Sequence, residues 1–239
     1  MALQRIGLLA AALAGGVSRL APGQPMSEKS TMLTRLIPSS REAIPVIGLG
    51  TWQTFGVGAG AADRAPLEGV LAAFFLMGGK VIDSSPMYGS SEEVVGDLLA
   101  KAGLRRKCFI ATKVWTSGKA AGIRQMQESM RRLQASTIDL MQVHNLLDAH
   151  THLDTLAEWK REGRVRYIGV THYTTAGQNE VAKLIASRPV DFIQINYSVA
   201  ERDAERRQRT AVDRSHRDIA DGCLLTAAGT SRRLGLARG

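Results

Sequence analysis

The sequence predicts an α/β protein built on a parallel sheet, and three observations carry that expectation. Short runs rich in Val and Ile recur six times, at spacings of roughly 20 to 35 residues. Stretches with helix-starting and helix-stopping residues separate them. The runs do not alternate cleanly between apolar and polar positions, which is the pattern of parallel strands covered on both faces. A chain of 239 residues, 44% hydrophobic and 22% charged, can build one domain with a full core, at the lower end for an α/β barrel.

The six runs are Ile44–Trp52, Lys80–Asp83, Cys108–Trp115, Asp139–His144, Arg166–His172 and Asp191–Tyr197. After the first, Pro66 marks a first helical turn, and Gly78 and Gly79 stop that helix. Ser90 with Glu93 reads as a capping box for the helix Ser91–Lys101, which Gly103 closes. Trp159 and Gly163 end the helix after the fourth run, and Thr174 caps a helix running to Ser187. Repeated βα units with short links require a parallel sheet. An open doubly wound sheet and a (β/α) barrel both satisfy this pattern.

Composition excludes several classes. Two cysteines, Cys108 and Cys223, are too few for a disulfide framework and lack metal-ligand spacing. No apolar run reaches the ~20 residues of a membrane span, so stable membrane insertion is not expected. The formal net charge is +9. Its arginines are mixed with acids and have no interleaved aromatics, so nucleic acid is not an expected partner.

The two ends read differently from the middle. Residues 1–25 carry Arg5, an apolar run from Ile6 to Val17, then Pro22 and Pro25, the shape of a secretory signal peptide. If that signal is real the protein is exported or periplasmic; otherwise it is cytoplasmic. Residues 26–206 hold the βα pattern. Residues 207–239 contain seven arginines and three acids without strand or helix periodicity, and are expected to form a poorly ordered arginine-rich tail.

Ionisable residues bear on the choice of sheet closure. The second run ends in Asp83, with Tyr88 five residues on; the third carries Lys113 near its end; the fourth ends in His144. Singly, each has an ordinary structural explanation. Together they share one end of three successive strands, where barrel enzymes place their chemistry. An ammonium inside an apolar strand is costly without a partner, and Asp83 is the available carboxylate.

That set suits proton donation to a carbonyl oxygen. A free phenol has a pKa of about 10, which the Lys113 ammonium is expected to lower. Asp83 holds Lys113 charged, and a neutral His144 orients the carbonyl. Tyr88 then protonates the developing alkoxide. The chain has no G-x-S-x-G, no H-E-x-x-H and no paired cysteines to supply a nucleophile. A hydride from a nicotinamide would complete the reaction. No G-x-G-x-x-G lies between a strand and a helix, because the glycines from Gly56 to Gly60 sit in a loop before Pro66.

From about Ile44 to Glu205 these residues resemble the aldo/keto reductase family. Gly48-Leu49-Gly50-Thr51-Trp52 looks like that family's first strand. Val81-Ile82-Asp83-Ser84-Ser85-Pro86-Met87-Tyr88-Gly89 resembles its second-strand motif, and Lys113 and His144 complete a four-residue catalytic set. The resemblance implies a TIM-type (β/α)8 barrel, NADP(H) and reversible reduction of small-molecule aldehydes and ketones. It further implies that Thr51 and Trp52 lie beside the nicotinamide, and that Thr171, His172 and Gln194 approach its carboxamide. Thr171 and His172 stand where many members have Ser-Asn. The family's seventh and eighth strands are not recognisable, so an incomplete barrel of about six strands is expected, from a truncated or frameshifted gene. The competing readings are an inactive barrel serving as a binding or assembly module, and a product without function. The oligomeric state is left open.

Overall fold

The computed structural model describes residues 32–197. The expected signal segment 1–25, the tail 207–239 and Cys223 lie outside the described residues. Within them the chain opens with two short strands, β1 (Thr34–Leu36) and β2 (Ala43–Pro45), paired antiparallel. Six parallel strands follow: β3 (Gly48–Gly50), β4 (Val81–Asp83), β5 (Phe109–Val114), β6 (Ile138–His144), β7 (Val165–His172) and β8 (Phe192–Ile195). They neighbour one another in sequence order. Five helices alternate with them: α1 (Ala61–Leu76), α2 (Ser91–Lys101), α3 (Lys119–Arg132), α4 (Ala149–Arg161) and α5 (Gln178–Ser187).

The sheet is curled into a partial (β/α) barrel. Two cores show this. Outward-facing residues such as Ile82, Ile110, Met141, Val143 and Ile193 pack under the helices with Val95, Leu99, Met126, Leu153, Leu156 and Val181. Inward-facing Val81, Phe109, Ala111, Leu140, Tyr167 and Phe192 converge from five strands into a second, smaller cluster. Its three aromatic rings stand 5.6 to 6.1 Å apart. Each ring fully withdrawn from water contributes on the order of 1.5–3 kcal/mol.

The β1–β2 hairpin closes the N-terminal end of this interior. Ile37 and Ile44 join the inner cluster. The Tyr167 hydroxyl meets Ser40 Oγ and Glu42 Oε2, each at 2.7 Å. Arg166 bridges Glu42 and Asp139 at the same end. One apolar run expected as a single strand, Ile44–Trp52, is therefore two elements. Pro45 cannot donate to a ladder, and the chain turns at Val46 and Ile47 from the hairpin into β3.

Two further local expectations are corrected. Helix α1 begins at Ala61, so Pro66 lies inside it and not in its first turn. The Ser90–Glu93 capping box does not form: the Ser90 hydroxyl instead donates to the Val57 carbonyl at 2.7 Å, tying the glycine-rich loop to α2. A competing acceptor in a distant loop took the hydroxyl, which local spacing cannot foresee. The Thr174 cap is present and accepts from the Gly177 N–H, ahead of α5.

Candidate active site

The strand registers build the site. Across the parallel ladders Lys113 stands beside Gln142, His144 beside Thr171, and Thr171 beside Gln194. Side chains alternate along a strand. Asp83, Lys113, Gln142 and Gln194 therefore point inward, each two residues beyond Val81, Ala111, Leu140 and Phe192 on its strand, toward the C-terminal end of the sheet. Gly169 makes room for this layer, since a Cβ there would come within 2.8 Å of the Phe192 carbonyl oxygen and 3.2 Å of Gln142 Cγ.

Lys113 is 1% exposed and Asp83 4%. The Lys113 ammonium donates to Asp83 Oδ2 at 2.8 Å and to the Ser84 carbonyl at 2.7 Å. It also lies 5.2 Å from the centre of the Tyr88 ring. The Asp83 carboxylate accepts from Gln142 Nε2 at 3.4 Å and Gln194 Nε2 at 3.3 Å. The contact from β4 to β8 spans the barrel interior. A buried ion pair is stable only when its remaining valences are met, and these amides and the carbonyl meet them.

Tyr88 and His144 stand nearer the opening, each half-buried. Burial pushes the Tyr88 phenol above its ordinary value, outweighing the downward pull of Lys113. The expected net lowering is thus reversed, because withdrawing the phenol from water outweighs the ammonium's pull. His144 is lowered to about 4 by burial first, then by the charges of Lys113 and His172. Its imidazole is neutral at pH 7. Nδ1 lies 2.6 Å from the Thr171 hydroxyl.

The remaining expected residues divide. Trp52, 52% exposed, stands with its ring 6.5 Å from that of Tyr88. Gln194 belongs to the Asp83 network. Thr51 is fully buried, and its hydroxyl engages the Asp83 carbonyl at 3.1 Å and Ser84 Oγ at 3.0 Å. It braces the end of β4. His172 turns aside: Nδ1 accepts from the Thr174 N–H at 3.2 Å, and the ring covers Gly177, where a Cβ would come within 2.2 Å. Thr171 is turned onto His144.

Sequence reasoning missed Gln142 and Trp115. Gln142 is fully buried and bonds both Asp83 and Gln194. Its signal was an amide in an apolar strand, two residues before His144 and hence on the same face. Trp115 is 41% exposed and stands edge-on to His144 at 6.4 Å. With Trp52 it flanks the opening.

The residues present fit the nicotinamide end of a dinucleotide. Two buried side-chain oxygens here, Gln142 Oε1 and Asn145 Oδ1, have no hydrogen-bond partner among the described residues. Gly50, at the end of β3, has open space where a Cβ would stand. Among the described residues no cluster of His, Cys, Asp or Glu could hold a metal ion. No described helix is long and apolar enough to cross a membrane.

A partial (β/α) barrel with an Asp–Lys ion pair beneath a tyrosine and a neutral histidine matches the arrangement that the sequence resemblance implied. The chain belongs to the aldo/keto reductase family, whose model matches residues 46–220. It is 31% identical over 174 residues to the aldo-keto reductase YhdN of Bacillus subtilis, covering 66% of this chain and 52% of that protein. It is 30% identical over 170 residues to the methylglyoxal reductase YeaE of Escherichia coli, covering 68% and 58%. The chain thus spans about half the length of the curated relatives it matches. Among solved structures it is similar to an aldo/keto reductase from Klebsiella pneumoniae in complex with NADP and acetate. That likeness has a TM-score of 0.60 and 29% identity, and covers 73% of this chain and 62% of that one.

Proposed function

We propose that the protein is an NADP(H)-dependent reductase of small aldehydes and ketones. The observation that carries this reading is the buried Lys113–Asp83 pair at 2.8 Å, with the Tyr88 ring beside the ammonium. A cation is seldom placed in a barrel interior without a task, and this one lies where it can stabilise a phenolate. The named relative that reduces methylglyoxal and the neighbour solved with NADP support the substrate class and the cofactor.

When bound, the nicotinamide supplies the hydride. Trp52, Gln194 and the orphaned oxygens of Gln142 and Asn145 are the groups that would hold its ring and carboxamide. His144 is neutral at pH 7, so one ring nitrogen carries a proton and can donate it to the carbonyl oxygen, fixing that oxygen against Tyr88. Tyr88 keeps its proton in the resting site because burial raises its pKa. As the carbonyl oxygen gains negative charge it becomes a far stronger base than phenolate, and the proton crosses to it. Lys113 then faces a phenolate, and Asp83 holds the ammonium in place while that charge persists.

The test is Tyr88→Phe. The hydroxyl is lost but the ring stays against Trp52, so NADPH affinity measured by fluorescence titration should be nearly unchanged. Turnover with 4-nitrobenzaldehyde should fall on the order of 10²–10⁴-fold. Equal turnover in the phenylalanine variant would sink the assignment.

A further inference from the structure

We infer that Thr171 is a positioning residue that sets the tautomer of His144, holding the proton on Nε2 where a carbonyl can receive it. The assignment follows from counting donors around one buried hydroxyl. Thr171 is 3% exposed on β7, beside His144 on β6. Among the described residues two groups lie within hydrogen-bond distance of its Oγ1: His144 Nδ1 at 2.6 Å and the backbone N–H of Asn145 at 3.4 Å. The amide can only donate. If His144 Nδ1 also carried a proton and donated, the Thr171 hydroxyl hydrogen would have no acceptor among the described residues. A buried donor left unmet is unfavourable.

The arrangement that satisfies every group is a chain. The Asn145 N–H donates to Thr171 Oγ1, and the Thr171 O–H donates to His144 Nδ1. Nδ1 is then an acceptor, so the single proton of the neutral ring resides on Nε2. The turn after β6 supplies the first link. Asn145 and Leu146 both adopt left-handed backbone conformations, with φ of 52° and 56°. Such conformations persist where the surroundings dictate them. Through this chain a backbone amide at the end of one strand fixes the proton inventory of a side chain at the site. The Thr171 hydroxyl hydrogen is thereby committed to His144.

The tautomer is a property of the chain without ligand, and only its kinetic consequence rests on the carbonyl-reductase reading. The experiment is long-range 1H–15N NMR of the imidazoles in the 15N-labelled full chain at about pH 7.5, with His144→Asn identifying the His144 signals. The wild-type ring should show the Nε2–H pattern. Thr171→Ser should keep it, and Thr171→Val, which conserves shape but cannot donate, should show Nδ1–H or a mixture. Turnover in Thr171→Val should drop at least about tenfold and recover in Thr171→Ser. An Nδ1–H pattern in the wild type overturns the inference whether or not the valine variant folds. So does an unchanged Nε2–H pattern in Thr171→Val. A tautomer that changes with no effect on turnover leaves the inference standing and counts against the proposed reaction.

Discussion

Neutralising Asp83 exposes the energetic cost of the site most directly. In Asp83→Asn the shape is kept but the charge opposite Lys113 is gone. The ammonium, 1% exposed, then retains the Ser84 carbonyl at 2.7 Å and the face of Tyr88 at 5.2 Å, but has no ion-pair partner in contact among the described residues. Breaking a buried ion pair from one side costs about 3–5 kcal/mol, a large share of the 5–15 kcal/mol that typically holds a domain together. Lys113→Met is the milder change. The carboxylate it strands still accepts from Gln142 and Gln194, at 3.4 and 3.3 Å, so a loss of about 1–3 kcal/mol is expected. The double variant Asp83→Asn, Lys113→Met removes both charges and the desolvation penalty with them, and should be more stable than Asp83→Asn alone. Urea unfolding followed by tryptophan fluorescence reads all four corners of this cycle. If Asp83→Asn lies within about 1 kcal/mol of wild type at unchanged m-value, or the two losses simply add, the ion pair does not carry the burden assigned to it.

Two other expectations follow from packing and titration. Gly96 in α2 faces the end of α3 so closely that a Cβ would lie 2.1 Å from the Arg132 carbonyl oxygen and 3.0 Å from Leu133. Gly96→Ala should therefore cost about 1–3 kcal/mol in urea unfolding despite its better helix propensity, because backbone cannot give way as a side chain would. His144 titrates near 4 in the folded chain against an ordinary 6.5. A folded pKa below the unfolded one means stability that is fully present above pH 6.5 and is lost as pH falls toward 4, since unfolding then takes up a proton. The stability difference between wild type and His144→Gln should shrink between pH 7 and pH 5. A difference that stays constant over that range contradicts the buried neutral imidazole.

How far the site was legible in the sequence depended on what each residue's role required. Asp83, Lys113 and His144 could be picked out because ionisable groups at the ends of apolar strands demand an explanation, and parallel strands put such ends together. Gln142 sits in the same layer and went unseen, because an uncharged amide raises no comparable alarm. Its partners come from strands 59 and 52 residues away in sequence. The acidity of Tyr88 had the wrong sign because the lysine's pull follows from one neighbour and can be inferred, whereas burial depends on how the whole chain packs around the ring. The hairpin stayed hidden for a related reason. All three residues of β1 are exposed, so no apolar pattern marks it, and its purpose appears only once five strands are seen to need a lid over Phe109, Tyr167 and Phe192. Thr171 combines these cases. Its position in the resemblance pointed toward a carboxamide, and the strand register also brings its hydroxyl against His144 at 2.6 Å, a contact that spacing alone does not show. The hydroxyl at this strand end is thus a link in the site's own hydrogen-bond chain, a role that serine fills as well as threonine.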